Sequence, residues 1–232
     1  MQKENLTSRN LDLTRLLEKA AAVTIERDIA DKIQGVLTEE LHHRMKNMLA
    51  VVTAIVRQSL RTAPSLAEAE NSISTRLVAM ASAHNLLLKA DLKSAKMTKI
   101  VSGAIAQHDA DADHILVNGE EIEILSTAVV PITLLLNELC TNASKYGALS
   151  KADGRVFLNW VQDAAANSIT LRWVEKGGPP VAPPGPKSFG TRLIEDALPR
   201  QLGGHGKLSF PVSGVEFEFV VPSENLCADA LA

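Results

Sequence analysis

The chain has 232 residues, enough for one large domain or two small ones, and its 46% hydrophobic content is that of a packed protein rather than a disordered one. A net charge of −3 with no basic run argues against nucleic acid as a partner, and 3% aromatic residues leave few platforms for stacking bases. Cys140 and Cys227 are distant, as thiols of a reducing cytoplasm would be, the polar start Met1-Gln2-Lys3-Glu4-Asn5 carries no signal peptide, and the longest apolar run, Ala128 to Leu136, is too short for a transmembrane segment; a cytoplasmic protein is expected.

Residues 11–61 read as nearly continuous helix. Leu13, Leu16, Ala20 and Val23 recur in a heptad-like way, and Ile25, Ile29 and Ile33 follow at four-residue steps, so residues 1–35 read as a signalling helix or coiled-coil leader. Further on, Leu41, Met45, Met48, Val52, Ile55 and Ser59 share one stripe. His42 lies nearer Met45 and Leu49, on the side expected to be buried. His43 instead groups with Lys46, Asn47, Ala50, Ala54 and Arg57 on a face of polar and small residues. A histidine there is open to a bulky partner, which suits a nucleophile that accepts a phosphoryl group and then surrenders it. It is ordinarily a solvated surface group unless the chain also carries the means to deliver phosphate.

Thr62-Ala63-Pro64-Ser65 breaks the helix, with Ser65 an N-cap and Glu68 completing a capping box. A second helix, about residues 65–90, carries Ile73, Leu77, Met80, His84 and Leu87 on one face. Residues 36–92 thus read as an antiparallel hairpin. One hairpin cannot bury its stripe alone, so two copies are expected to pair into a four-helix bundle, making a homodimer.

The character changes over residues 93–222. A polar join at Asp109-Ala110-Asp111-Ala112-Asp113 precedes short strands at Ile115–Val117 and Glu121–Ile124, then a helix from about Val130 to Tyr146 with Pro131 in its first turn. Alternation writes two strands, one with Val156, Leu158 and Trp160 and the other with Ile169, Leu171 and Trp173. A helix near Thr191–Leu202 and a closing hairpin, Lys207–Phe210 with Val215–Val221, complete the order; residues 223–232 are a tail. The fold class is α+β, one sheet backed by helices.

Within the helix ending at Tyr146, Leu125, Val129, Ile132, Leu136, Leu139 and Ala143 form the apolar stripe, and Glu138, Asn142 and Lys145 stand opposite at i, i+4 and i+7. Those types suit a metal-bound polyphosphate: an amide oxygen for Mg²⁺, a carboxylate for a metal-bound water, an ammonium for phosphate oxygens. Glu175 ends a strand before Gly177 and Gly178, where a carboxylate can accept an adenine amino group and glycines let the base approach the backbone. Ser188-Phe189-Gly190-Thr191 opens a helix whose free N–H groups can face phosphate. Each feature alone is also what an ordinary polar face or loop shows. There is no Walker loop.

These pieces together resemble a sensor histidine kinase of the HWE type, a branch of the GHKL ATP-binding superfamily. The resemblance rests on His43-Arg44-Met45-Lys46-Asn47, on Asn137-Glu138-Leu139-Cys140-Thr141-Asn142-Ala143-Ser144-Lys145-Tyr146-Gly147-Ala148-Leu149-Ser150, and on Trp173-Val174-Glu175-Lys176-Gly177-Gly178-Pro179, extended by Phe189-Gly190 and Leu202-Gly203-Gly204, over roughly residues 36–222. It implies a dimerisation and phosphotransfer hairpin followed by a Bergerat-type α/β sandwich that binds ATP and Mg²⁺. It implies His43 as phosphoacceptor, Asn142 as the Mg²⁺-binding asparagine, and Glu138, Lys145 and Tyr146 as the acidic and phosphate-side residues. Glu175 falls at the adenine-binding position, with Gly177, Gly178, Phe189 and Gly190 in the flanking nucleotide loops. Asn137 stands where the family usually has histidine, and Ser188 replaces a usual glycine. The expected function is autophosphorylation of His43 by ATP, with Glu40 orienting the imidazole, and transfer to an aspartate of a response-regulator receiver. The alternative is a phosphotransferase or phosphatase scaffold of the same fold with weak or no ATP turnover.

Overall fold

The computed structural model describes residues 48–61, 63–89, 93–106, 108–109, 114–181 and 189–228, together with positions 27, 32, 34, 35, 38, 39, 42, 45 and 46. Glu40, His43, Ser188, the side chain of Phe189 and nearly all of the 1–35 leader lie outside the described residues. The chain forms two compact units, Met1–Ala54 and Ile55–Ala232. Every described residue of the first unit is helical. The hydroxyls of Thr38 and Thr53 donate to the carbonyls of Gln34 and Leu49, one turn back. His42 is exposed, as are Met45 (56%) and Leu49 (61%), so the side expected to be buried is open in the single chain. Periodicity marks a face as apolar; it does not say what covers it.

In the second unit, helical residues 55–61 (α1) bury Ile55 and Ser59. The turn after them ends as expected, with Ser65 Oγ accepting the Glu68 N–H at 3.2 Å and capping α2, Leu66–Lys89. Along α2 the buried positions Ala69, Arg76, Met80, Ala83 and Leu87 lie on one side. An arginine among them is the exception that shapes the site below. Strand β1 (Ser94–Lys96) and α3 (Met97–Ile105) follow, and α3 buries Met97, Ile100, Val101 and Ala104. Neither stood out in the sequence. β1 pairs antiparallel with β3 (Glu123–Leu125), placing Ser94 opposite Leu125.

Helix α4, Ser126–Tyr146, starts four residues before the expected Val130, so Pro131 falls in its second turn rather than its first. All ten residues from Pro131 to Cys140 are buried, and both α2 and α3 pack on this helix. The five-stranded sheet runs β2 (Ile115–Gly119), β4 (Arg155–Asp163), β5 (Ser168–Lys176), β7 (Glu216–Pro222), β6 (His205–Ser209); β2 is parallel to β4 and the remaining pairs are antiparallel. The alternation read from sequence holds: Val156, Leu158, Trp160, Ile169, Leu171, Trp173, Phe217, Phe219 and Val221 point to the buried face. The expected helix near Thr191–Leu202 is built as α5 (Phe189–Arg192), a π turn (Leu193–Ala197) and α6 (Leu198–Gln201), with the Leu198 N–H reaching back five residues to the Leu193 carbonyl. A last short helix, α7 (Ser223–Leu226), lies where a tail was expected. This is a mixed helix-and-sheet fold.

Strand β2 is launched by one side chain. Asp109 accepts the Ile115 N–H at 2.8 Å on Oδ2 and the His114 N–H at 3.2 Å on Oδ1, and its Oδ1 lies 3.4 Å from His114 Nδ1. Burial pushes its carboxyl up, but the two N–H donors and the neighbouring histidine outweigh it and hold the group below its ordinary value. A depressed carboxyl contributes stability above its unfolded pKa and loses it as pH falls through the folded one. Asp109→Asn should therefore lower the unfolding free energy by about 1–3 kcal/mol at pH 7. The gap to the parent should close in urea titrations taken below about pH 4.

Candidate active site

The polar face of α4 is graded along its length. Glu138 is 4% exposed, Asn142 is half-buried, Lys145 is exposed and Tyr146 is 73% exposed. About one helical turn separates Glu138 from Asn142 and Asn142 from Lys145, so the face rises from a closed floor at Glu138 to an open rim at Lys145. Asn142 and Lys145 are within reach of a solute. Glu138 is not free: Arg76 Nε donates to its Oε1 at 2.6 Å and Nη2 to its Oε2 at 2.9 Å, a forked pair between α2 and α4. Arg76 Nη1 donates to Ser59 Oγ at 2.8 Å and to Ser72 Oγ, so the guanidinium is anchored on its own side by α1 and α2.

Beside Glu138, Asn137 Nδ2 lies 3.4 Å from His108 Nε2. Burial holds His108 below the ordinary histidine value, so it is neutral at pH 7. Asn137 Oδ1 and Thr141 Oγ1, one turn apart on α4, are buried without a hydrogen-bond partner among the described residues. Buried polar atoms are seldom left so, and these two oxygens keep unused acceptor capacity inside the protein. An amide oxygen, a carboxylate one turn below and an ammonium at the rim fit a metal-bound polyphosphate.

Glu175 closes the other end. Its Oε2 accepts the Ala148 N–H at 2.8 Å and its Oε1 accepts Trp173 Nε1–H at 3.1 Å, so the carboxylate pins the end of β5 to the turn that follows α4. Burial raises its pKa, against the pull of those two donors. The glycines permit the contact: a β-carbon on Gly147 would collide with Glu175 Oε2, and one on Gly178 would lie 2.9 Å from Ala148 N. Gly177 turns the chain at φ +72°, a left-handed conformation suited to glycine. Gly190 is buried at the start of α5.

The structure thus brings Glu138, Asn142, Lys145 and Tyr146 onto α4, with Glu175, Gly177 and Gly178 against its C-terminal turn. Sequence reasoning missed Arg76, Asn137 as a polar centre, His108 and Asp109. For Arg76 the signal was present: a charge on a helix face that carries Ile73, Ala79 and Met80 at three- and four-residue steps.

The fold is shared with solved histidine-kinase domains. The histidine kinase domain of the Erythrobacter litoralis blue-light activated histidine kinase superposes with a TM-score of 0.53 at 17% identity, covering 75% of this chain and 95% of that one. A longer structure of that kinase gives 0.60 at 20% identity, covering 80% of this chain and 58% of that one. In sequence, the chain is 34% identical over 200 residues to a blue-light-activated histidine kinase of Brucella anthropi and 32% identical to one of Brucella ovis, covering 85% of this chain in each case. The chain spans about two fifths of the length of these curated relatives, 41% in both. Residues 40–121 match the family model for HWE histidine kinase, the family that the motifs resemble. Among the described residues no helix is long and apolar enough to cross a membrane.

Glu175→Gln should lose about 1–3 kcal/mol, since one amide oxygen replaces two acceptors that each hold an N–H. A raised carboxyl pKa costs stability as pH climbs from the unfolded value to the folded one. The parent should show that decline in thermal melts across the mildly acidic range, and the variant should not.

Proposed function

We propose that the protein is an ATP-dependent protein-histidine kinase that phosphorylates His43 and passes the phosphoryl group to an aspartate of a response-regulator receiver in the cytoplasm. The observation that carries this is the graded face of α4. An open amide and ammonium at Asn142 and Lys145 stand above a buried carboxylate, and Glu175 and Gly178 lie against the turn that follows this helix. Residues 36–92 would form the dimerisation and phosphotransfer hairpin, 93–222 a Bergerat-type ATP-binding domain, 1–35 a signalling leader and 223–232 a tail. The open apolar side chains Met45 and Leu49 support pairing of two hairpins into a four-helix bundle.

Each residue has a stated part. The Asn142 amide oxygen would hold Mg²⁺, which when bound would neutralise phosphate charge. Lys145 at the open rim would meet phosphate oxygens, and Tyr146 would flank them. Each Glu175 oxygen accepts one N–H and retains a second lone pair for an adenine amino group, with Gly177 and Gly178 admitting the base. Phe189 and Gly190 would border the phosphates from α5. Glu138 would position a metal-bound water once its carboxylate is free. Glu40 would orient the imidazole of His43 so that its neutral ring nitrogen attacks the γ-phosphorus; the bond to the bridging oxygen breaks, ADP leaves, and the ring loses its proton.

A second reading, a phosphotransfer or phosphatase scaffold with weak ATP turnover, draws on the engagement of Glu138 by Arg76 and of Glu175 by Ala148 and Trp173. Calorimetry with ATP separates the two: the kinase reading requires Mg²⁺-dependent binding, and Asn142→Asp should abolish it. With γ-labelled ATP the parent should incorporate label and His43→Ala should not. Labelling of His43→Ala at the parent rate would assign the acceptor elsewhere.

A further inference from the structure

Arg76 and Glu138 make a buried contact between α2, in the proposed hairpin, and α4, the helix that carries the proposed nucleotide face. Both oxygens of Glu138 are used by it, and both residues are under 10% exposed. The guanidinium is not equally shared: Nη1 is tied to Ser59 on α1 and Ser72 on α2, so Arg76 belongs to the hairpin and Glu138 is its one partner on α4 among the contacts described. The fork fixes the orientation of the carboxylate toward α2, so turning it to a metal-bound water one turn away at Asn142 means leaving the fork.

We infer that Arg76 is a latch: its fork on Glu138 docks the nucleotide face onto α2 in the resting protein, and Mg²⁺–nucleotide at Asn142 releases it by taking over the carboxylate. The inference rests on the ATP-binding reading above. Release is possible because both groups keep partners: Glu138 exchanges an arginine for the metal's hydration shell, while Arg76 stays on Ser59 and Ser72. A ligand shifts such an equilibrium only by its difference in affinity for the two states, and the coupling is reciprocal. Nucleotide binding therefore loosens α2, and loss of the fork tightens nucleotide binding. Arg76 acts as a positioning residue through Glu138 and touches no substrate.

The test uses a non-hydrolysable ATP analogue with the full chain. Arg76→Gln should bind it about tenfold more tightly than the parent in Mg²⁺, within the usual range of such couplings. Without Mg²⁺ the two should bind alike. A second readout needs no nucleotide: amide hydrogen exchange across Leu66–Lys89 should be faster in Arg76→Gln than in the parent. Adding the Mg²⁺–analogue to the parent should accelerate the same amides. Should Arg76→Gln fail to fold, Ser72→Ala, which removes one anchor of the guanidinium, carries the test with a smaller gain in the same direction. A folded variant that binds no tighter than the parent overturns the latch alone, and weaker binding would make Arg76 a phosphate ligand instead. Absence of analogue binding by the parent and every variant overturns the ATP reading, and the latch with it.

Discussion

Helix α4 is enclosed on nearly every side, and most of what is distinctive in this unit follows from that enclosure. Ten consecutive residues are buried, so the polar groups among them turn to partners inside the protein. The Thr133 hydroxyl returns to the Val129 carbonyl at 2.8 Å, Asn137 meets His108, and Glu138 meets Arg76. The Cys140 thiol is pushed up to about 12 by burial and by the negative charges of Glu175 and Asp109, which leaves it an inert thiol. Polar side chains meet solvent again in the last turns, where Asn142 and Lys145 emerge.

The enclosure also sorts what could be read from the chain and what could not. Local signals were legible: the Ser65 cap, the α4 stripe from Val129 to Ala143, and the alternation that places Trp160 and Trp173 on one face of the sheet. So was the polar face of α4, because Glu138, Asn142 and Lys145 keep helical spacing. What stayed hidden is non-local. Glu138 was grouped with a solvent-facing polar ridge, yet the residue that closes over it lies 62 positions earlier. β1 and α3 escaped because a three-residue strand has too few residues to show a period, and it pairs with another three-residue strand 29 positions away. The extended start of α4 was masked by Pro131, which usually marks a first turn.

At Glu175 the sequence pointed to a ligand group, and the structure adds an architectural one. The same carboxylate closes the turn after α4, seats against Gly147 and receives the indole of Trp173. Those roles are compatible, since a base acceptor works best when its own geometry is already fixed and little order remains to be lost on binding. The tryptophan two residues before it then reads as a support for the carboxylate as much as a core residue.

The parallel pairing of β2 with β4 has a bearing on how the molecule assembles. Ile115 pairs with Val156, and β3 and all of α4 lie in the chain between them. Because β2 has no other partner in the sheet, it must wait until that intervening stretch has been synthesised and folded back. Until then Leu116 and Val117, still 48% and 41% exposed in the finished fold, are an uncovered apolar edge on a nascent chain. Ribosome-bound intermediates halted between α4 and β4 are where a chaperone would find this protein most vulnerable.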